Sequence, residues 1–463
     1  MKVFVAGATG VIGWRAVNRL VGAGHAVSGI ARTAEKAALL ERLGARPVSV
    51  SLFDAAALRD AVAGHDAVVN LATKIPPLSQ MARVSAWEEN ERIRREGSGN
   101  LVDAAIAAGA SVFVQESLAF LYGDHGDDVI DAVSVQQADS PFAEAVRIAE
   151  ANVERFTAQG GRGIVLRYGR FYAADSTHSE AMVQSARRGL ALDVGGPDGF
   201  APLIDADDAA AAVVAALNAP AGTYDIVDDV PLPRREQDDA LAAAVGRRRV
   251  HRAGALITPK AFTHLSGSQR VSNARFRAAT EWQPTSPSAR EGWKKVVAQL
   301  RVEPALPGRV RTLLWLLALS AAALGLQAEF SPRSFYDDFP FGRGWVAMSG
   351  PYNEHLVRDV GALNLGLFVL TLGALLLATR AVARLTAATW FVWSVPHFVY
   401  HLRHPGMGMG GLDKALSWGS LALSIVGAVL VWIWSRRVRI PLADAVVPAV
   451  GQTPGRSSIT SRV

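Results

Sequence analysis

The sequence predicts an α/β domain built on a doubly wound parallel sheet, followed by an all-α domain of four membrane-spanning helices. Three observations carry this. The chain opens on a strand, a glycine-rich turn and a helix (KVFVA, GATGVIG, WRAVNRLVGAG), and strand-like and helix-like segments alternate to about residue 300. Beyond residue 305, charged residues give way to long apolar runs, and seven of the eleven tryptophans lie after residue 310. At 463 residues there is room for two or three domains, each with its own core. The net charge of +6 is modest. The arginines flank the apolar runs instead of forming a stripe, which points to a membrane surface and away from nucleic acid. The absence of cysteine excludes disulfides, thiolate metal sites, iron–sulfur clusters and a cysteine nucleophile.

The first turn is a candidate diphosphate cradle. Gly7, Gly10 and Gly13, with Ala8, Thr9, Val11 and Ile12 between them, let an anion approach the backbone and the helix N-terminus. There, unpaired N–H groups and the helix dipole favour negative charge. The motif follows a strand and opens a helix, which makes it more specific than a lone glycine pattern. The second strand, HAVSGIAR, ends in Arg32, where an NAD-selective fold places a carboxylate for the ribose hydroxyls. A guanidinium there can pair with a 2′-phosphate, so NADP(H) is the expected cofactor and NAD(H) the alternative. The competing reading of Arg32 is a solvated strand end. In SLFD, Asp54 can meet the adenine or N-cap the helix AAALRDAV, and both roles are compatible. The strand DAVVNLAT ends in Asn70–Thr73, with Leu71, Ala72 and Thr73 suited to lining a cofactor.

The segments GATGVIG, HDAVVNLAT, EGSGNLVDAAIAAG, VFVQESLAFLYGD, VLRYGRFY, PLIDADDAAAAVVAAL and RVSNARFRAATEWQP occur in this order over about residues 1–300. Together they resemble the extended or atypical branch of the short-chain dehydrogenase/reductase superfamily, of the NAD-dependent epimerase/dehydratase type. The resemblance implies a Rossmann-type doubly wound sheet, a small C-terminal substrate region and a nicotinamide cofactor. It also implies three residues for hydride chemistry. A Ser or Thr is expected four before the Tyr of a Tyr-Gly pair; that pair is Tyr122–Gly123, and the position holds Leu118. The expected Tyr and Lys fall on Phe142 and Val146, with Glu150 fixing the register. All three catalytic positions are changed. A positioned general acid is worth about 10²–10⁴ in rate, so the ordinary family mechanism is not expected. Ser117, Tyr122 and Lys74 are the candidate substitutes, with Glu116 nearby. Each also has a structural reading: Ser117 on the opposite strand face, Lys74 at the surface before Pro76 and Pro77.

Four uncharged apolar segments follow, Thr312–Ala328, Val360–Thr379, Leu385–Leu402 and Ala415–Trp434, each near the ~20 residues a helix needs to cross a bilayer. Arg301, Arg309, Arg311, Arg380, Arg384, Arg436, Arg437 and Arg439 flank one side. Arg333, Arg343, Arg358, Arg403 and Lys414, diluted by acids, flank the other. This bias, with an N-terminus unlike a secretory signal, predicts a multi-pass cell-membrane protein whose nucleotide domain and both termini are cytoplasmic. The helical half resembles small four-helix bacterial membrane modules of the DoxX-like type. The expected organisation is a nucleotide-binding domain over 1–300, a linker over 301–311, the membrane domain over 312–437 and a disordered tail over 438–463. His355 and Asp359, one turn apart, and His397, His401 and His404 on one helix face are expected to converge on the outer half of the bundle. His355, His397 and His401 are candidate metal ligands, or interhelical hydrogen-bonding groups.

Two functions follow. One is a membrane-tethered NADP(H)-dependent oxidoreductase or epimerase-like protein acting on a small or lipid-soluble molecule. The other is a catalytically silent dinucleotide sensor regulating its membrane half. The expected partners are the lipid bilayer and a second copy of the chain, with no nucleic acid.

Overall fold

The computed structural model describes residues 1–435 apart from 78–79, 82, 253–262, 301–304 and 405–407. The chain divides into two compact units, Met1–Ala305 and Leu306–Val463. Residues 301–304 of the expected linker, with Arg301, the last two residues of the expected membrane domain, Arg436 and Arg437, and the expected tail, with Arg439, lie outside the described residues.

Seven strands form the first unit's main sheet: β1 Lys2–Ala6, β2 Ala26–Ile30, β3 Arg46–Val48, β4 Ala67–Asn70, β5 Val112–Leu118, β6 Arg162–Tyr168 and β7 Gly222–Ile226. All pair in parallel, in the spatial order β7-β6-β5-β4-β1-β2-β3. The order reverses between β1 and β4, where open α/β sheets bind ligands beyond the strand C-termini. Parallel sheets need cover on both faces, and β4 and β5 are buried along their whole length.

The helices are α1 Gly13–Gly22, α2 Ala34–Arg42, α3 Ala55–Val62, α4 Ser98–Ala107, α5 Pro141–Ala158, α6 Thr177–Arg188, α7 Ala206–Ala216, α8 Arg234–Ala244 and α9 Ala289–Gln299, of which α1–α5 and α7 cover the sheet. Strand alternation sorts the core. Val3 and Val5 pack with Ala16, Leu20 and Val213 on one face. Phe4 and Ala6 pack with Leu58, Leu101 and Phe156 on the other. A smaller core of Tyr172, Val183, Leu241 and Trp293 gathers α6, α8 and α9 into the C-terminal region.

Among its described residues the second unit contains four long helices, α10 Gly308–Phe330, α11 Glu354–Leu377, α12 Arg380–Arg403 and α13 Gly411–Trp434. They share a core that includes Leu314, Ala318, Ala374, Ala387 and Val431. A Cβ at Gly361 would fall 2.6 Å from the backbone nitrogen of Glu329, so α10 and α11 approach through a small-residue contact. Leu319, Val369, Val392 and Leu423 point outward and exposed. By length and composition α10, α11 and α13 are apolar enough to cross a membrane. The expectation of four such helices is corrected to three among the described residues. The segment Leu385–Leu402 lies in α12, whose 24 residues include Arg380, Arg384, His397, His401 and Arg403. Those polar side chains lower its hydropathy although its length is unchanged.

Candidate functional site

The glycines of the first turn do three different jobs. Gly7 has a positive φ of 75°, and a Cβ there would fall 2.5 Å from the carbonyl carbon of Leu71. It therefore makes the turn and lets it rest on the end of β4. A Cβ at Gly13 would lie 2.0 Å from the Gly7 oxygen, so α1 can pack on the turn only with glycine there. Gly10 is exposed, and a Cβ would meet only the Gly7 oxygen, at 3.4 Å. Packing leaves Gly10 free to accept a side chain, so its bareness is room for something outside the fold.

The cradle is chemically complete for an anion. Ala8 is buried, at van der Waals reach of Gly29 on β2, and Ile12 anchors the turn in the core. Thr9 and Val11 are half-buried. The N-terminus of α1 has no side-chain cap and no acidic residue in its first turn, whereas Thr33 caps α2 and Asp54 caps α3. Trp14 and Ala16 give their N–H groups to the carbonyls of Gly10 and Ile12, so a diphosphate would meet the N–H groups ahead of Trp14. Buried Arg15 holds the start of α1 to Asp175 and Asp207, each at 2.8 Å. These residues fit a dinucleotide.

Around the cradle, Arg32 stands exposed two residues beyond the end of β2. Asp54 accepts the N–H of Ala57 at 3.1 Å; it is the N-cap, and it is exposed. Leu71 is buried, Ala72 half-buried and Thr73 exposed at the mouth of β4. Asn70 ties that end to β5 by donating to Gln115 at 2.9 Å.

Leu118 and Val146 are packed together, with Leu121, Ala138 and Ala143, in one apolar cluster, and Phe142 lies against it. The Phe142 ring meets Trp87 edge-on, with centroids 5.0 Å apart. The positions at which the resemblance expects an acid and its lysine are thus apolar.

The candidate substitutes occupy different surroundings. Lys74 is exposed, with its ammonium 3.7 Å from Glu89. Ser117 and Tyr122 belong to one buried polar chain. Ser117 donates to Glu150, Arg167 pairs with Glu150 at 2.7 Å and donates to the Tyr122 oxygen at 3.0 Å, and Tyr122 donates to Asp225 at 2.7 Å. Burial, and then the Asp225 charge, hold the Tyr122 hydroxyl well above the usual phenol range. Glu116 is the partner of Arg94 at 3.0 Å, both of them buried. That pair was not anticipated from sequence; the adjacent arginines of IRREG were its one signal.

In the helical unit His355 and Asp359 form an exposed pair at 3.6 Å. His397 stacks on Trp393 and touches His401, while His404 stacks on Tyr400. Among the described residues no three His, Cys, Asp or Glu side chains assemble to hold a metal, so the candidate ligands His355, His397 and His401 are not brought together in one site. Each histidine is engaged along its own helix instead.

Residues 3–227 match the model of the NAD dependent epimerase/dehydratase family. A 3-diazoavenalumate denitrifying reductase from a Streptomyces species is 34% identical over 307 residues, covering 63% of this chain and 99% of that protein. An uncharacterized protein of Schizosaccharomyces pombe is 25% identical over 300 residues, covering 62% of this chain and 95% of its own. Among solved structures, a human epimerase family protein with NADPH aligns with a TM-score of 0.55 at 23% identity, over 65% of this chain and 100% of that one. The UDP-glucose 4-epimerase of Thermus thermophilus, in complex with NAD, aligns at 0.53 and 22%, over 65% and 99%.

Proposed function

The chain belongs to the NAD dependent epimerase/dehydratase family through residues 3–227, and on that premise we propose that its first unit is a nicotinamide-dependent reductase for an acceptor that takes hydride without a protein acid. The observation that carries this is the apolar cluster of Leu118 and Val146 with Phe142 packed against it. A carbonyl becomes an alkoxide on accepting hydride and needs a proton close by. A diazonium cation does not. Hydride forms an N–H bond at its terminal nitrogen and gives a neutral diazene. The carbon–nitrogen bond then breaks, N₂ leaves, and C–H replaces C–N. The substrate is reduced by two electrons, which the nicotinamide supplies when bound. The diazo substrate in the name of the 34% identical reductase supports this acceptor class.

In this reading the chain's own residues hold and shield. Gly7, Gly10, Gly13 and the open end of α1 bind the diphosphate, Arg32 selects NADP(H), and Leu71–Thr73 border the nicotinamide end. Phe142 and Trp87 offer an aromatic substrate a dry wall. Helices α10, α11 and α13, with their outward leucines and valines, tether the protein to a bilayer as a multi-pass membrane protein with cytoplasmic termini. The tether favours a lipid-soluble substrate.

The same apolar cluster also favours a second reading, a silent dinucleotide sensor that regulates the helical unit. Anaerobic incubation of purified protein with NADPH and an arenediazonium salt separates the two, against an enzyme-free control. The reductase evolves one N₂ per NADPH oxidised; a sensor binds NADPH and leaves both unchanged.

A further inference from the structure

Asn90 and Arg94 lie one turn apart where the short helix Glu88–Arg92 runs into the π-helical turn Ile93–Gly97. Asn90 is 0% and Arg94 1% exposed. Asn90 accepts the N–H of Lys74 through Oδ1 at 3.0 Å, and its Nδ2 has no partner. Arg94 gives Nη2 to Glu116 and leaves Nε and Nη1 without a partner. Buried donors without acceptors are uncommon in folded proteins, and π-turns recur at functional sites. The guanidinium carbon of Arg94 lies 6.0 Å from the centre of the Phe142 ring, which packs on Trp87. Lys74, held by Asn90, directly follows the cofactor-lining Leu71–Thr73. The orphan donors thus sit between the end of β4 and the residue that replaces the family's acid.

We infer that Asn90 and Arg94 bind the carboxylate of an aromatic acid substrate, whose ring packs against Phe142 and Trp87. This rests on the reductase reading and names the substrate class of the same site. The unsatisfied atoms of Asn90 and Arg94 are three donors against one unsatisfied acceptor, Oε2 of Glu116, so donors are left over for a ligand group that only accepts. A guanidinium is the side chain best matched to a carboxylate. Burial raises the Glu116 carboxyl above the usual carboxylate range, while Arg94 beside it pulls the other way. The flat, apolar neighbours fit a conjugated ring.

The test is calorimetric titration of the full-length, detergent-purified protein, saturated with NADPH, with cinnamate and with its neutral methyl ester. A charge-assisted hydrogen bond to a buried group is worth roughly ten- to hundred-fold in affinity, so cinnamate is expected to bind tighter by about that factor. Asn90→Asp keeps the Oδ1 that holds Lys74, turns the orphan donor into an acceptor and gives Arg94 a partner. It is expected to keep or raise the melting temperature and to abolish cinnamate binding while sparing the ester. Arg94→Lys, which keeps the Glu116 pair, is expected to weaken cinnamate about ten-fold. Equal affinities for acid and ester, or cinnamate binding unaffected in both variants, would overturn the inference. Acid–ester discrimination without diazonium turnover would remove the reductase reading and leave this site. Turnover without discrimination would do the reverse.

Discussion

Tyr122 on the loop after β5 donates its hydroxyl to Asp225 on β7 at 2.7 Å, and both side chains are buried. Burial pushes the Asp225 carboxyl up to about 7. The folded state therefore holds a proton that the unfolded chain, with an aspartate pKa of about 3.9, releases. More protons bound in the native state means that stability at this group falls as pH rises, between about pH 4 and about pH 7. Asp225→Asn removes the titration and keeps an acceptor for Tyr122. The variant is expected to melt above wild type at pH 8 and to lose that advantage by pH 5. Thermal melts of both proteins across that range check it; a difference that grows on acidification would reverse the assignment.

Gly10 and Gly13 are expected to separate binding from folding. Gly10→Val adds a side chain where packing leaves room, so it should keep the melting temperature and abolish binding of NADPH and NADH alike. Gly13→Ala places a Cβ 2.0 Å from the Gly7 oxygen and should lower the melting temperature outright. Cofactor titration beside thermal melting distinguishes the two effects.

Arg32→Ala should weaken NADPH by about ten- to hundred-fold, the worth of a charge-assisted contact, with NADH unchanged. Titration of both cofactors into both proteins decides it. No loss for either would leave Arg32 as a solvated strand end, and equal loss for the two would remove its selectivity for the 2′-phosphate.

The apolar cluster gives opposite expectations for two substitutions that look alike on paper. Phe142 is half-buried, so Phe142→Tyr should fold normally, and Phe142→Ala should cost about 1–3 kcal/mol. Val146 is fully buried among Leu121, Ala138 and Ala143, so Val146→Lys buries an unpaired ammonium and should lower the melting temperature by about 5–10 °C. Differential scanning fluorimetry of the three variants is sufficient. Normal melting of Val146→Lys would mean that the lysine finds a partner or solvent there.

What the sequence made legible was what short spacing encodes. GATGVIG declares its turn because Gly7 and Gly13 answer to atoms within a few residues or to the next strand end. Asp54 declares its cap because the N–H it accepts is three residues on. Leu118, Phe142 and Val146, picked out by their spacing from Tyr122–Gly123 and Glu150, do come together in one apolar cluster. Ser117 and Tyr122 were legible as polar residues near that site, whereas their partners were not. Glu150, Arg167 and Asp225 reach them from other elements, and such distances in sequence carry no periodicity. Arg94 and Glu116, 22 residues apart, were hidden for the same reason, because only the fold brings the π-turn against β5. The histidines of α12 share a helix face without assembling a metal site. They contact residues one turn away on their own helix.

In the proposed reductase this family frame works without its acid, on an acceptor that does not need one. The most direct measurement is the anaerobic rate of NADPH oxidation with an arenediazonium ion and with the aldehyde of the same ring, in wild type and in Phe142→Tyr. Wild type is expected to turn over the diazonium at least ~10²-fold faster than the aldehyde, the lower bound for a missing general acid, and Phe142→Tyr to narrow that ratio only if the new hydroxyl reaches substrate. Wild-type protein that reduces the aldehyde as fast as the diazonium would contradict the account.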